Sequence, residues 1–138
     1  MRPDRDSYYL DIARAVSRRS TCLRRQYGAV IVSNDEIIAT GYNGSPRGEI
    51  NCCDVGICHR VGHAHNDGDY DSCSSVHAEM NAIISAARRD MIGSTLYLAG
   101  FENGKEIVVE PCPICKRMIK NAGIKEVKVK ISQDEILS

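Results

Sequence analysis

The chain has no tryptophan and a single phenylalanine, and its eighteen lysines and arginines are balanced by eighteen aspartates and glutamates. Proteins that track single-stranded nucleic acid stack bases on aromatic side chains inside a basic groove, so this composition argues against that class. A formal net charge of zero argues equally against a protein built mainly to coat nucleic acid. No stretch approaches the ~20 consecutive apolar residues of a bilayer-crossing helix, so no membrane span is expected. The opening Met1-Arg2-Pro3-Asp4-Arg5-Asp6 is charged and has no apolar signal core, so secretion is not expected and a cytoplasmic location is. Internal repeats, low-complexity tracts and obvious linkers are missing as well. A length of 138 residues predicts one domain, residues 1–138, long enough to bury a real core.

Cysteine, by contrast, is plentiful: there are seven. In a chain without a signal segment this favours metal binding over disulfides. The pattern of apolar residues predicts the elements. Tyr9, Leu10, Ile12, Ala13 and Val16 have helical spacing over residues 6–18. Residues 27–33 and 36–42 read as a hairpin around Asn34-Asp35. Residues 43–74 are rich in Gly, Asp, Cys and His and have no periodicity; so long an irregular stretch in a compact domain is usually functional. Residues 76–89 predict a helix with Met80, Ile83, Ile84 and Ala87 on one face, capped by Ser74 or Ser75. A strand at 95–99 follows, then a turn at Asn103-Gly104 with 107–109 pairing back. The next helix covers 112–121, with Pro111 near its first turn and Gly123 after its end. Lys125 to Ile131 alternates as a half-buried strand. The order α-β-β-α-β-α-β predicts a mixed sheet of about five strands flanked by helices, an α/β fold.

Two short motifs carry chemistry. His77-Ala78-Glu79 is followed farther along by Pro111-Cys112-Pro113-Ile114-Cys115. Each alone is weak; together, each opening a predicted helix, they are specific. Zinc favours imidazole and thiolate in a tetrahedron, and a catalytic site leaves the fourth position to water. His77, Cys112 and Cys115 offer three ligands. Glu79, two residues from the histidine, is placed to move a proton without ligating the metal. A purely structural zinc site would need four protein ligands. Cys112 and Cys115 stand at i and i+3 in a first helical turn, where the sulfurs share one face and free N–H groups favour thiolates.

With these residues in place, the chain resembles the deoxycytidylate (dCMP) deaminase branch of the cytidine deaminase superfamily. The resemblance covers nearly the whole chain. It rests on Gly28-Ala29-Val30, Gly41-Tyr42-Asn43-Gly44-Ser45-Pro46, His77-Ala78-Glu79-Met80-Asn81-Ala82-Ile83, Pro111-Cys112-Pro113-Ile114-Cys115 and Ala122-Gly123-Ile124. It implies a three-layer cytidine-deaminase-like fold and hydrolytic deamination of dCMP to dUMP and ammonia. Glu79 would protonate cytosine N3, take the water's proton and pass it to the departing amine. Backbone groups near Ala78 and at the Cys112 helix start would hold the base edge, and Asn43 would contact the nucleotide. The 5′-phosphate needs cations, for which Arg24 is the first candidate, Arg47 the second and Arg25 a third. The resemblance also implies a homo-oligomer, a hexamer among relatives, and regulation by dCTP and dTTP as effectors. This sequence departs from the pattern in two places: residues 100–110 insert a hairpin-like piece before the zinc cysteines, and no aromatic residue follows the last strand.

Among relatives a second, structural zinc draws on positions like Cys22 and Cys52. Cys22, Cys52, Cys58 and Cys73 form the candidate closed set, with Cys53 or His65 as substitutes for one ligand. Two kinds of alternative stay open. One is deamination of another nucleoside, a base, or cytosine or adenine in a nucleic acid. The other is a zinc-stabilised interaction module without activity, against which an intact Glu79 argues.

Overall fold

The computed structural model describes residues 2–49, 75–130 and the strand at 136–137. Asp4 starts the first helix, α1 (Arg5–Ser17), by accepting from Ser7 N at 2.8 Å, a cap of the kind worth ~1 kcal/mol. Strand β1 (Gln26–Ser33) turns at Asn34-Asp35 into β2 (Glu36–Tyr42). Both turn residues have positive φ, 52° and 61°, the backbone that lets a two-residue loop follow the right-handed twist of its strands. Helices α2 (Ala78–Ile84) and α3 (Arg88–Met91) lead to β3 (Thr95–Glu102) and a short return strand β4 (Lys105–Glu106). Helix α4 (Pro113–Ala122) then crosses to β5 (Glu126–Lys130), and β6 (Ile136–Leu137) closes the edge.

The sheet runs β2-β1-β3-β5-β6, with β4 paired to β3. Among the described strands only β3 and β5 are parallel, joined through α4, so the sheet is mixed as expected. It has six strands, the extra ones being two residues long. The pleat sorts side chains to two faces. Val30, Val32, Tyr97 and Ala99 pack under Tyr9, Leu10 and Ala13 of α1. Ala29, Ile31, Leu96 and Leu98 pack under Ala78, Ala82, Ile119 and Ala122 of α2 and α4. The result is the expected three-layer arrangement, with α1 on one face and the two motif-bearing helices on the other.

The structure corrects four local expectations. The helix expected over 76–89 is split: Ala87 leaves it at φ −82°, ψ 138°, before α3 begins. The break lets Met91 enter the core at 3% exposure, and consecutive alanines carry no signal for it. The buried face of α2 is Ala78, Glu79 and Ala82, while Ile84 is 72% exposed. Ser75 does not cap this helix; His77 holds the N-cap position, because Val76 is tied to Gly44 in an antiparallel bridge and delays the helical turn. Finally, Lys105–Glu106 rather than 107–109 pairs back on β3. Ile107 N still reaches Gly100 O at 2.9 Å, after which Val109 turns into the core.

Two glycines set the layer spacing. A Cβ at Gly28 would lie 2.1 Å from Ala13 O, so α1 rests directly on β1. At Gly41 it would lie 2.4 Å from Ala82 N and 2.5 Å from Ala78 O, so α2 rests directly on β2. Both obstacles are backbone and cannot rotate away. Gly41→Ala is therefore expected to lift α2 from the sheet, costing ~1–3 kcal/mol as other overpacking does. Because α2 carries His77, metal content should fall along with melting temperature. Unchanged values of both would contradict this account.

Candidate active site

Two helix starts meet on the α2/α4 side of the sheet. His77 is the N-cap residue of α2, with extended backbone (φ −69°, ψ 152°), and its imidazole makes no capping bond. Cys112 is the N-cap of α4, where Pro113 follows in the first turn and fixes a helical φ. The Cys112 sulfur accepts from Cys115 N at 3.4 Å, which holds the two cysteines on one side of the turn. At the other end of α4, Gly123 closes the helix in the left-handed region at φ 86°.

The His77 Nδ1 lies 3.5 Å from Cys112 Sγ and 3.3 Å from Cys115 Sγ. All three ligand atoms fall within 4.8 Å of one another. Tetrahedral zinc with its usual bonds to nitrogen and sulfur has donor–donor edges of about 3.5 Å, so the donors already stand at ligand spacing. Their chemistry fits too. Burial, then the neighbouring Glu79 and Cys112, push the Cys115 thiol well above its ordinary pKa. A divalent cation supplies the opposing charge that such a pocket needs to hold thiolates. Three N/S donors beside a carboxylate fit Zn²⁺ with one coordination position left over.

Glu79, in the first turn of α2, is only 4% exposed. Burial raises its pKa; its own backbone N–H and the Cys115 side chain pull in the other direction. Burial therefore favours the proton-carrying form of this carboxyl group. Ala78 is fully buried beside it. Asn81 Nδ2 donates to Tyr42 O at 2.8 Å and ties α2 to the end of β2.

The remaining residues singled out in the sequence are placed as follows. Asn43 is buried, and its side chain knits the chain before β1: Oδ1 accepts from Ser20 Oγ at 2.6 Å and Tyr27 N at 2.8 Å, and Nδ2 donates to Arg25 O at 2.8 Å. One N–H of its amide remains for a ligand. Arg24 is half-buried and Arg47 exposed. Arg25 Nε lies 3.0 Å from Glu102 Oε2, a charge contact without a well-aligned hydrogen bond. Cys22 is half-buried; Cys52, Cys58 and Cys73, like Cys53 and His65, lie outside the described residues. Two residues near the site went unread in the sequence, Tyr27 and Glu102. The period-2 pattern of β1 and β3 holds their signal: Tyr27 shares parity with Ala29 and Ile31, and Glu102 with Leu98, which places both on the motif face.

Among the described residues, three protein donors beside a buried carboxylate have the make-up of a zinc centre that keeps a position for water. The model of the cytidine and deoxycytidylate deaminase zinc-binding region matches residues 3–131. The chain belongs to this family. It is 40% identical over 132 residues to the deoxycytidylate deaminase of Mycobacterium phage D29, covering 91% of this chain and 94% of that protein. It is 39% identical over 127 residues to the deoxycytidylate deaminase of Schizosaccharomyces pombe, covering 91% of this chain but 37% of that longer protein. Among solved structures, the dCMP deaminase of cyanophage S-TIM5 in complex with dCMP and dUMP superposes with a TM-score of 0.66 at 30% identity, covering 94% of this chain and 82% of that one.

Proposed function

We propose that this chain is a zinc-dependent hydrolase that converts dCMP and water to dUMP and ammonia. The observation that carries the reading is the ligand-spaced trio His77, Cys112 and Cys115 beside the buried carboxyl of Glu79. Similarity to deoxycytidylate deaminases over nine-tenths of the chain supports the choice of substrate.

When bound by His77, Cys112 and Cys115, zinc supplies Lewis-acid activation of water near neutral pH. The protein's own groups do the rest. Glu79 receives the proton that the attacking water loses and passes it to N3 of the cytosine ring; it then takes the proton of the hydroxyl now on C4 and delivers it to the amine, which departs as ammonia as the C4 carbonyl forms. Its burial suits both halves of this shuttle, because a carboxyl with raised pKa is a stronger base toward water than an exposed one and then holds the proton it must hand on. Backbone at Ala78 and at the start of α4 faces the base edge, and the remaining N–H of Asn43 is available to the nucleotide.

The finer features of the reading are these. Arg24 pairs with the 5′-phosphate, with Arg47 as the second contact. A closed site of Cys22, Cys52, Cys58 and Cys73 holds a structural zinc. The enzyme works as a homo-oligomer, a hexamer, in the cytoplasm, with dCTP and dTTP as effectors. Among the described residues no helix is long and apolar enough to cross a membrane.

Ammonia release from dCMP, dCTP, cytidine, deoxycytidine and cytosine, measured with Arg24→Ala alongside, tests the reading. The wild-type enzyme should prefer dCMP strongly. Hydrogen bonds to a charged group are worth ~1.5–3 kcal/mol, so Arg24→Ala should lower efficiency on dCMP by about one to two decades more than on deoxycytidine. A wild-type enzyme with no preference for dCMP would remove the nucleotide assignment. No ammonia from any substrate, with zinc bound, would favour an interaction module.

A further inference from the structure

The hairpin at residues 100–110 brings an acidic side chain to a rim already provided with arginines. Tyr27 and Gly100 are opposite one another across β1 and β3, on the face that carries α2 and α4. A Cβ on Gly100 would lie 2.6 Å from Val109 Cγ1 and 2.7 Å from Tyr27 Cδ1, so the Tyr27 ring is wedged between the hairpin and the core. Two residues back, Arg25 reaches the Tyr27 hydroxyl with Nη1 at 3.3 Å and the Glu102 carboxylate with Nε at 3.0 Å. Its carbonyl accepts from Asn43 at 2.8 Å, which fixes the backbone from which it reaches. Glu79 contributes to the raised pKa of Tyr27, as a carboxylate close by would. Arg25 thus joins Tyr27 to Glu102, and Tyr27 lies within electrostatic range of the catalytic carboxyl.

Glu102 itself is held in place. The hairpin turns at Asn103-Gly104, with φ 53° and 76°. Its return strand is anchored by Glu106, which binds Arg14 of α1 at 2.7 Å and Lys130 of β5 at 3.1 Å. The Arg25 and Glu102 side chains are 24% and 34% exposed, open enough for a ligand's anion to approach the same guanidinium.

We propose that Glu102 is a charge-selecting residue of the nucleotide pocket: it occupies Arg25 in place of a substrate phosphate and so limits how tightly phosphate is held. This rests on the dCMP reading above. A nucleotide whose base reaches Glu79 carries its phosphate at the rim, where Arg25 sits beside Arg24 in sequence. Substrate and product bear the same phosphate. Binding energy spent on it holds both equally, slows product departure and adds nothing to the chemical step. A carboxylate competing for Arg25 tempers that binding, whereas the uncharged nucleosides do not sense it.

The test is Glu102→Gln alone and in an Arg25→Met background, with dCMP and deoxycytidine as substrates and dUMP as inhibitor. A partly exposed ion pair is worth enough to change binding by about two- to fivefold. Glu102→Gln is expected to lower KM for dCMP and the inhibition constant of dUMP by a common factor of about two to five, with deoxycytidine unchanged. In the Arg25→Met background the same substitution should do nothing. Equal gains on dCMP and deoxycytidine, no gain on dCMP, or a gain that persists without Arg25 would each overturn the proposal. Glu36→Gln, at the opposite end of β1, controls for a general loss of negative charge; an equal gain there would overturn it too. Wild-type preference for dCMP over deoxycytidine reports separately on the underlying reading. If that preference exists and Glu102→Gln leaves it unmoved, only this inference falls.

Discussion

Glu79→Ala will keep its zinc and lose its deaminase activity. None of His77, Cys112 and Cys115 is altered, so the metal site keeps every protein donor. What disappears is the group that carries protons between water, ring nitrogen and departing amine. General acid–base catalysis by one side chain is typically worth ~10²–10⁴-fold. Glu79 serves both the entering and the leaving group, so the loss should reach or exceed that range. Because the side chain is 4% exposed, truncation also leaves a void, and Glu79→Gln provides the same shape without the titrating oxygen. Both variants should bind zinc by metal analysis and both should be inactive by ammonia release. Near-normal turnover in the Gln variant would remove Glu79 from the mechanism.

Cys115→Ser will lose zinc and activity together. The Cys115 sulfur is fully buried and 3.3 Å from His77 Nδ1, in the middle of the donor set. A serine hydroxyl at that place is harder, shorter-reaching and far harder to deprotonate, so the site keeps two good donors where zinc needs three. Cys73→Ser should behave differently. If it belongs to a closed structural site, it should lower melting temperature and zinc content while a well-folded fraction still turns over substrate. On that model the native protein carries about two zinc ions per chain, one open and one closed. Metal analysis of the three proteins separates the cases. A single ion in the native protein, lost only with Cys115, would leave the catalytic site standing and eliminate the second.

The parts legible in the sequence share a physical property: their signals are local. Asn34-Asp35 announces the β1–β2 turn because only a few residue types tolerate positive φ. Pro113 and Gly123 bracket α4 for the same kind of backbone reason. Cys112 and Cys115 meet because i and i+3 always do at a helix start. The misread parts depended on distant partners. Nothing in Ala86-Ala87 shows that the chain must leave the helix there so that Met91 can enter the core. Nothing in Ile84 shows that its side of α2 faces outward, because the close approach at Gly41 turns the small residues Ala78 and Ala82 to the sheet instead.

By itself the sequence determined the alternation of helices and strands and singled out the candidate donors and the candidate acid–base carboxyl, since each follows from residue type and short spacing. Only the tertiary structure decided that His77 and the two cysteines stand at ligand spacing, because that depends on two helices packed on one sheet face at a distance set by glycine. It alone also decided that Asn43 spends most of its hydrogen bonds holding residues 20–27, and that Glu102 takes hold of Arg25. These pairings join residues 16 to 77 positions apart, and chain distance leaves no trace in composition or periodicity.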